Sequence, residues 1–236
     1  MVKKLLCLLL AVILCCSLVA CGKNTDSSQG SHNNTDKIST ITNNKKNSNN
    51  TDEISIADVK NAPQTDASLF DYEDVEGGIS ITDYKGDDRI VVIPQSIDGK
   101  SVVSIGRAAF MNNSTICGLK ISDSIHTIGE YAFQHCTQLE VFVSGDSLKK
   151  LDSFSFNGCT KLRDVELNQG LESMISCFGL ADISKIEIPS SVTEMYFPFS
   201  VPTPDYYITI ISESGSYVEQ YVNEYGEDYH LIFQAK

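Results

Sequence analysis

Large apolar residues recur through the middle of the chain at a fixed spacing of 23 residues. Five series of residues share this spacing. They are Val102, Ile125, Leu148 and Leu171; Ile105, Ile128, Leu151 and Met174; Phe110, Phe133 and Phe156; Ile116, Leu139 and Leu162; and Cys136 and Cys159. A unit this short cannot bury its own apolar side chains, so the pattern predicts a stack of similar coils, which is a solenoid.

Each unit contains a short alternation of apolar and polar residues. Leu119 and Ile121 flank a polar residue, as do Val165 and Leu167. This alternation predicts a very short strand with one buried face. Strands offset by one coil would then pair in parallel, about 4.8 Å apart.

The units also share a stretch that turns the chain. Gly106 and Gly129 follow an apolar anchor, where we expect a tight corner that needs a residue without a side chain. The Ala132-Phe133 pair is then expected on a short helical turn, with the phenyl ring filling the stack.

The run from Ile128 to Leu139, Ile-Gly-Glu-Tyr-Ala-Phe-Gln-His-Cys-Thr-Gln-Leu, resembles the BspA-type (Treponema pallidum-type) leucine-rich repeat. The resemblance extends from about Phe70 to the end of the chain and is strongest from Ile93 to Leu162. It implies a leucine-rich repeat solenoid, mainly β, with short parallel strands and short helical turns. Members of this family are typically bacterial cell-surface or secreted proteins, and some take part in adhesion to host matrix proteins or to other bacteria.

The repeats become irregular towards the C-terminus, and we count four to five of them plus two caps. In the fourth unit Ile175 stands where Gly is expected, and Cys177-Phe178 falls one residue early. The fifth unit resumes at Ile186 to Val192.

Two segments are predicted to cap the stack. Phe70 to Val75 and Ile79 to Tyr84 form a hairpin signal that would cover the first coil. At the other end, Ser216 and Glu219 predict the start of a helix, Gly226 is expected just after its end, and a last short strand follows.

The N-terminal residues 1–20 have the layout of an export signal, because Lys3 and Lys4 precede an apolar run that is too short for a stable membrane span. Leu18 to Gly22 resemble a bacterial lipobox, which implies cleavage before Cys21 and lipidation of Cys21. The protein is then expected on the extracytoplasmic face of the cell membrane, at the cell surface, anchored by lipid. An ordinary cleaved signal with an incidental cysteine is the alternative.

Residues 21–66 carry the cysteine and a stretch rich in Asn, Ser, Thr and Lys, which cannot form a core. We predict that this stretch is a disordered tether, with a disordered partner-binding segment as the alternative. The leucine-rich repeat domain is expected to occupy residues 67–236.

Four cysteines fall in the predicted domain, at Cys117, Cys136, Cys159 and Cys177. Export permits disulfides, yet Cys136 and Cys159 share one repeat position and would point the same way. We therefore favour buried thiols over a disulfide. Zinc is disfavoured because no cysteine pair has the spacing of a metal knuckle.

The sequence contains no recognisable catalytic motif and no phosphate-binding glycine loop, so we expect neither an enzyme nor a cofactor. His126 and His135 are expected at variable surface positions rather than as metal ligands. With 31 acidic and 18 basic residues the net charge is −13, which repels nucleic acid. Calcium binding by the acidic N-terminal cap remains an alternative to a solvated surface, although no dedicated calcium loop is recognisable.

Surface recognition is the remaining function, and the outward strand positions are the first candidate site. Lys120, Val143, Glu166 and Glu187 form one predicted solvent-facing column, and Gly118, Val141, Asp164 and Lys185 form the next. These positions would bind an extracellular protein or glycan, or serve only for solubility.

A second candidate site is the aromatic segment Tyr196, Phe197 and Phe199, for which packing in the C-terminal cap is the alternative. Two further functions stay open for the whole chain. One is a structural role in organising the cell envelope, and the other is solute binding for a transporter.

Overall fold

The structure is a computed structural model, and it describes residues 53–200, 203 and 205–236. The predicted signal peptide, Cys21 and the predicted tether up to residue 52 lie outside the described residues. Those described belong to one compact unit, which spans residues 50–236. Within them, no helix has both the length and the apolar character needed to cross a membrane.

The described part of the chain is mainly β. Its helices are α1 (Ile56–Asn61) and α2 (Tyr217–Tyr229), with a short 3-10 turn at Ala67–Leu69. The strands are β1 (Phe70–Val75), β2 (Gly78–Tyr84), β3 (Ile90–Val92), β4 (Ser96–Ile97), β5 (Lys100–Ile105), β6 (Gly118–Lys120), β7 (Thr127–Ile128), β8 (Val141–Val143), β9 (Lys150–Leu151), β10 (Asp164–Glu166), β11 (Ser173–Ile175), β12 (Phe178–Gly179), β13 (Lys185–Glu187), β14 (Glu194–Tyr196), β15 (Phe199–Ser200), β16 (Ile208–Ser212) and β17 (Leu231–Ala235).

Two ladders of parallel strands run through the stack. One ladder contains β3, β6, β8 and β10, in which Leu119 pairs with Phe142 and Phe142 pairs with Val165. This ladder confirms the predicted strand in each unit. The other ladder joins β2, β5, β7, β9, β11 and β14. It forms because the second apolar anchor of each unit, such as Ile105 and Ile128, also pairs with its equivalent in the next coil. This second ladder was not predicted from the sequence.

The core is built around a column of phenyl rings, one from each coil. Phe110, Phe133 and Phe156 stack with centroid distances of 4.6 and 5.1 Å, and Phe178 follows at 5.4 Å. Phe199 continues the column at 5.9 Å from Phe178 and is only 3% exposed. Phe199 is therefore a core residue, and its prediction as part of a binding surface is wrong.

The repeat glycines are required for close approach between coils rather than for a left-handed corner. A Cβ atom on Gly106 would lie 2.8 Å from the carbonyl oxygen of Ile81, and one on Gly129 would lie 3.0 Å from that of Ile105. The left-handed conformation occurs two residues later, at Ala108 (φ 58°) and Tyr131 (φ 58°). The predicted helical turn is a hydrogen-bonded turn, not a helix.

The N-terminal hairpin forms as predicted, with β1 antiparallel to β2 and β2 parallel to β5. Gly77 has a φ of 84° at its turn, a conformation that favours glycine. At the other end, β16 and β17 continue as parallel strands. Helix α2 runs past the predicted stop at Gly226 and ends at the left-handed His230. Gly226 is instead a close-approach position, because its Cβ would lie 2.8 Å from the oxygen of Leu231.

The folded domain begins near Ile54 rather than at Ala67 as predicted. Ser55 caps α1 in a reciprocal capping box with Asp58, whose pKa is lowered by the hydrogen bonds from Ser55. Val59 is fully buried. Thr65 then donates its N–H to the oxygen of Val92 (3.0 Å) and accepts from the N–H of Val92 through Oγ1 (3.0 Å). Thr65 therefore satisfies backbone groups at the edge of β3. The few apolar residues of this segment lie within a polar composition, so its sequence does not distinguish it from the predicted tether.

Candidate binding surface on the strand face

The outward side chains of β3, β6, β8, β10 and β13 form what we call the strand face. The structure places Lys120, Val143 and Glu166 side by side through the register of β6, β8 and β10. Glu187 lies on β13, which contacts β10 but pairs with β16. The first predicted column therefore exists as an arrangement of neighbouring residues, although its members differ greatly in exposure.

Helix α1 covers the first half of the strand face. Val141 is fully buried and Val143 is 3% exposed, and both pack with Val59 in a separate small apolar cluster. The absence of a side chain at Gly118 makes room for the helix, because a Cβ there would lie 2.5 Å from Cγ2 of Val59. The prediction that Val141 and Val143 face solvent is therefore wrong. Helix α1, which does not belong to the repeats, buries these two side chains.

A partly buried ion pair contacts the start of this segment. Glu140 is 9% exposed, and its Oε2 accepts hydrogen bonds from the N–H of Ile54 (3.3 Å) and from Nη2 of Arg163 (3.0 Å). Arg163 also contacts Glu53 Oε1 at 2.9 Å and the oxygen of Ile54 at 3.4 Å. At the other end of α1, Lys60 Nζ lies 2.6 Å from Oε1 of Glu166. Ionic contacts therefore occur at both ends of the segment, with the less exposed pair at its start.

Glu140 and Arg163 are not among the site residues predicted from the sequence. A signal was present, because these two residues occupy equivalent positions of neighbouring repeats, 23 residues apart. Opposite charges at one repeat position, directly before a strand, favour an ion pair between adjacent coils.

The second half of the strand face is open and forms a shallow groove of about 650 Å³. Its lining residues are Ile56, Asp146, Val165, Glu166, Leu167, Asn168, Gln169, Gly170 and Glu187. Asn168 is held in place, since its Nδ2 donates to the oxygen of Asp146 (2.9 Å) and its N–H donates to Oγ of Ser144 (2.7 Å). Glu187 accepts from Nζ of Lys236 at 2.6 Å. The groove therefore presents carboxylate and amide groups above a partly apolar floor.

The second candidate, the aromatic segment, packs mostly into the C-terminal cap. Phe197 adopts a left-handed conformation (φ 43°), and its N–H donates to the hydroxyl oxygen of Tyr221 at 3.2 Å. Its ring lies 4.8 Å from that of Tyr229. Tyr196 is 51% exposed and remains accessible to solvent beside the packed ring of Phe197.

The cysteines belong to the core. All four in the described residues are buried and free. The Sγ of Cys136 donates to the oxygen of Phe110 (3.2 Å), and that of Cys159 donates to the oxygen of Phe133 (3.1 Å). Burial raises the pKa of the Cys159 thiol and also that of Cys177, so these thiols stay protonated. Cys136 and Cys159 therefore satisfy backbone carbonyls of the preceding coil, and the protonated thiols of Cys159 and Cys177 are poor nucleophiles.

The acidic N-terminal cap uses several of its carboxylates in local contacts. Asp88 accepts from the hydroxyl of Tyr84 (2.7 Å), and Asp71 pairs with Lys85 (2.5 Å). Across the described part of the chain, no group of three or more His, Cys, Asp or Glu side chains is placed to hold a metal ion. His126 is exposed and His135 is half-buried.

Short parallel strands that recur every 23 residues around a column of phenyl rings define a leucine-rich repeat solenoid. Residues 91–197 match the family described as "BspA type Leucine rich repeat region", in six copies. This part of the chain therefore consists of BspA-type leucine-rich repeats, as the sequence predicts. The family model counts six copies, whereas we count four to five repeats from the sequence.

Solved structures of bacterial leucine-rich repeat proteins are similar to this chain. The T. pallidum leucine-rich repeat protein shares 26% sequence identity at a TM-score of 0.56, over 63% of this chain and 71% of that one. A leucine-rich repeat protein from Bacteroides ovatus shares 24% identity at a TM-score of 0.49, over 61% of this chain and 45% of that one. No curated protein sequence matches the chain significantly.

Proposed function

We propose that this protein is a lipid-anchored bacterial surface protein that binds an extracellular protein or glycan in the open groove of the strand face. The observation that carries the proposal is the groove itself. Its volume of about 650 Å³ falls within the range of roughly 300–1,000 Å³ typical of ligand sites. Stacked repeats present such surfaces because their side chains recur in register.

The groove favours a ligand that donates hydrogen bonds, or a cationic group that replaces Lys60 at Glu166 or Lys236 at Glu187. Asp146, Glu166 and Glu187 supply carboxylates, and the side chain of Asn168 is fixed by its own hydrogen bonds. A standard protein interface needs about 800 Å² on each partner, so a groove of this size fits a peptide or glycan segment better than a large flat partner.

The anchoring part of the proposal rests on the sequence around Cys21. Leu18-Val19-Ala20 directly precede this cysteine and follow an apolar run with two lysines before it. More than one acyl chain gives stable membrane attachment, whereas a single chain gives only marginal binding. The solenoid would then be displayed outside the cell.

A binding role is favoured over catalysis. Leucine-rich repeats are a scaffold for recognition, and the strongly raised pKa values of Cys159 and Cys177 belong to core thiols rather than to groups in the groove.

The test is a binding screen with the fragment of residues 50–236 against matrix proteins, mucins, cell-wall glycans and whole envelope extract. Physiological salt is needed because the chain is acidic. We expect saturable binding to one extracellular partner. The binding should be lost in the double variant Asp146→Lys, Glu187→Lys and kept in Glu224→Lys, Glu227→Lys, which makes the same charge change on exposed positions of α2.

Two results would contradict this proposal. If both double variants lose binding equally, net charge rather than the groove is responsible. If the fragment binds only envelope extract, the structural role in the cell envelope replaces adhesion. Tight binding of a small solute would instead support the transporter alternative.

A further inference from the structure

The segment of residues 53–66 occupies the strand face in the manner of a bound peptide. It contributes Ile54 and Val59 to a small apolar cluster with Cys117, Val141 and Val143, separate from the main core. Charged groups stand at both ends of this cluster, with Glu140 at one end and Glu166 at the other. The covered half of the strand face is therefore a built site that already has an occupant.

The geometry points to a peptide-binding site on the covered half of the strand face. Helix α1 occupies this site in the structure and can be displaced by a short helical segment of an extracellular protein that has the same chemistry. That chemistry is a buried β-branched residue followed directly by a lysine. This inference rests on the proposed function, because it names the class of partner for the strand face.

Helix α1 has few means of staying in place by itself. It has six residues, and a helix this short is not stable in isolation. Val59 is its one buried side chain. The ion pair of Lys60 with Glu166 is about half exposed on both sides (45% and 44%), and pairs of this kind contribute little.

The face beneath the helix is shaped for a helical segment. Gly118 leaves space that a Cβ would fill, since that atom would lie 2.5 Å from Val59 Cγ2. Glu140 receives a backbone N–H at the start of the segment, and Glu166 receives a lysine at its end. These two contacts fix the direction of the bound chain. A basic residue on the partner also suits the acidic groove that continues from Glu166.

The resident segment sets a threshold for binding. Because α1 is joined to β1 through residues 62–69, its effective concentration at the face is in the millimolar range or higher. A segment of another protein must bind the face tightly enough to compete with this effective concentration of α1. Thr65 and the residues after it stay attached to β3 when α1 leaves, so displacement does not require the solenoid to unfold.

The test uses a fluorescent peptide of residues 53–63 as the probe and measures anisotropy with two forms of the fragment of residues 50–236. In one form Val59→Asp removes the resident occupant. We expect saturable binding of the peptide to this variant and at least about tenfold weaker binding to the unchanged fragment. A peptide that carries Val59→Asp should not bind to either form.

A charge exchange provides the matched control. Lys60→Glu in the peptide should weaken its binding, and Glu166→Lys in the Val59→Asp fragment should restore it. If Val59→Asp prevents folding, Val59→Ala in the fragment takes its place, with a smaller expected gain over the unchanged protein. A cooperative thermal melt checks each fragment.

The inference is overturned if the peptide binds no folded variant, or binds the unchanged fragment as tightly as Val59→Asp. It is also overturned if the unchanged fragment forms concentration-dependent dimers that Val59→Asp lacks, since the occupant is then a second copy of this chain. The proposed function is tested separately by the double variant Asp146→Lys, Glu187→Lys. This variant should leave peptide binding unchanged but abolish binding of the extracellular partner, so a failure of the proposed function can be told apart from a failure of this inference.

Discussion

Glu140 and Arg163 occupy the same position of two neighbouring repeats, and their side chains form an ion pair with an Oε2 to Nη2 distance of 3.0 Å. Both also bind the backbone of Ile54, which lies far from them in the sequence. A pair within the repeats thereby anchors a segment outside them.

Arg163→Ala should destabilise the domain, because the side chain of Glu140 is only 11% exposed and would lose its charged partner. We expect a loss of about 1–3 kcal/mol, reduced from the value for a fully buried pair because Arg163 is partly exposed. Urea unfolding of residues 50–236 measures the loss. Lys161→Ala, at an exposed position nearby, is the control and should cost less than about 0.5 kcal/mol. Equal losses would show that the pair contributes nothing specific.

Phe133→Ala should remove the centre of the phenyl column. Phe133 is fully buried between Phe110 and Phe156, so we expect a loss of roughly 3–5 kcal/mol in the free energy of unfolding. Phe154→Ala is the matched control, because Phe154 is only half-buried and stacks on Tyr131. Its loss should be clearly smaller in the same urea titration. If the two variants are equally stable, the inner column is not the core of the stack.

Gly129→Ala should destabilise the stack although φ at this residue is ordinary. The added Cβ would lie 3.0 Å from the oxygen of Ile105, and backbone must shift to relieve the contact. A cost of about 1–3 kcal/mol is expected, as for other overpacked sites. Gly170→Ala is the comparison, since its Cβ would lie 3.1 Å from a side-chain atom, Nδ2 of Asn168, rather than against backbone. A thermal melt that ranks Gly170→Ala as the worse variant would contradict the interpretation.

The cysteines should resist alkylation in the folded protein. In the fragment of residues 50–236, iodoacetamide should label none of the four thiols at neutral pH before unfolding and all four after it, as read by mass spectrometry. Rapid labelling of Cys177 in the native state would contradict its burial.

The same thiols predict a dependence of stability on pH. Folding raises the pKa of Cys177 above its ordinary value of 9.0, so the unfolded chain loses this proton first as pH rises. The contribution of the buried Cys177 thiol to the free energy of unfolding is therefore complete below about pH 9 and decreases above it. The urea concentration at the midpoint of unfolding, measured from pH 7 to pH 10, should fall at the alkaline end. A rise there would contradict a raised pKa of Cys177 in the folded state.

Cys21→Ala should release the protein from the membrane fraction, because the proposed acyl chains have no other site of attachment. Cys16→Ala, within the predicted signal peptide, is the control and should leave fractionation unchanged. Immunoblots of washed membranes give the measurement. Retention of Cys21→Ala after a carbonate wash would defeat the proposal of a lipid anchor.

The sequence predicted those contacts that each coil repeats. Phe110, Phe133 and Phe156 recur at one spacing, so a single packing rule places all three rings, and Leu119 and Val165 follow in the same way. The fold class and the outward strand positions are therefore readable without coordinates.

What the sequence did not reveal depends on contacts that occur once. Val143 was expected in solvent because nothing in the repeat covers it, yet Val59 buries it from a segment whose composition is polar. Phe199 was assigned to a binding surface because the irregular spacing at the C-terminal end concealed its place in the phenyl column. The groove likewise depends on how far α1 extends over the strands, which no periodicity encodes.

The attachment of the chain at Glu53 has a mechanical consequence. A pulling force on the preceding residues reaches the contact of Glu53 with Arg163 first, then α1, then the bonds of Thr65 with Val92. These contacts bear the force one at a time and break in sequence, whereas the hydrogen bonds between the parallel strands of the solenoid share the force. The fourteen residues from 53 to 66 would extend by up to roughly 45–50 Å. Helix α1 would therefore yield under tension before the solenoid does, and a stretched chain would uncover the strand face while the repeats remain intact.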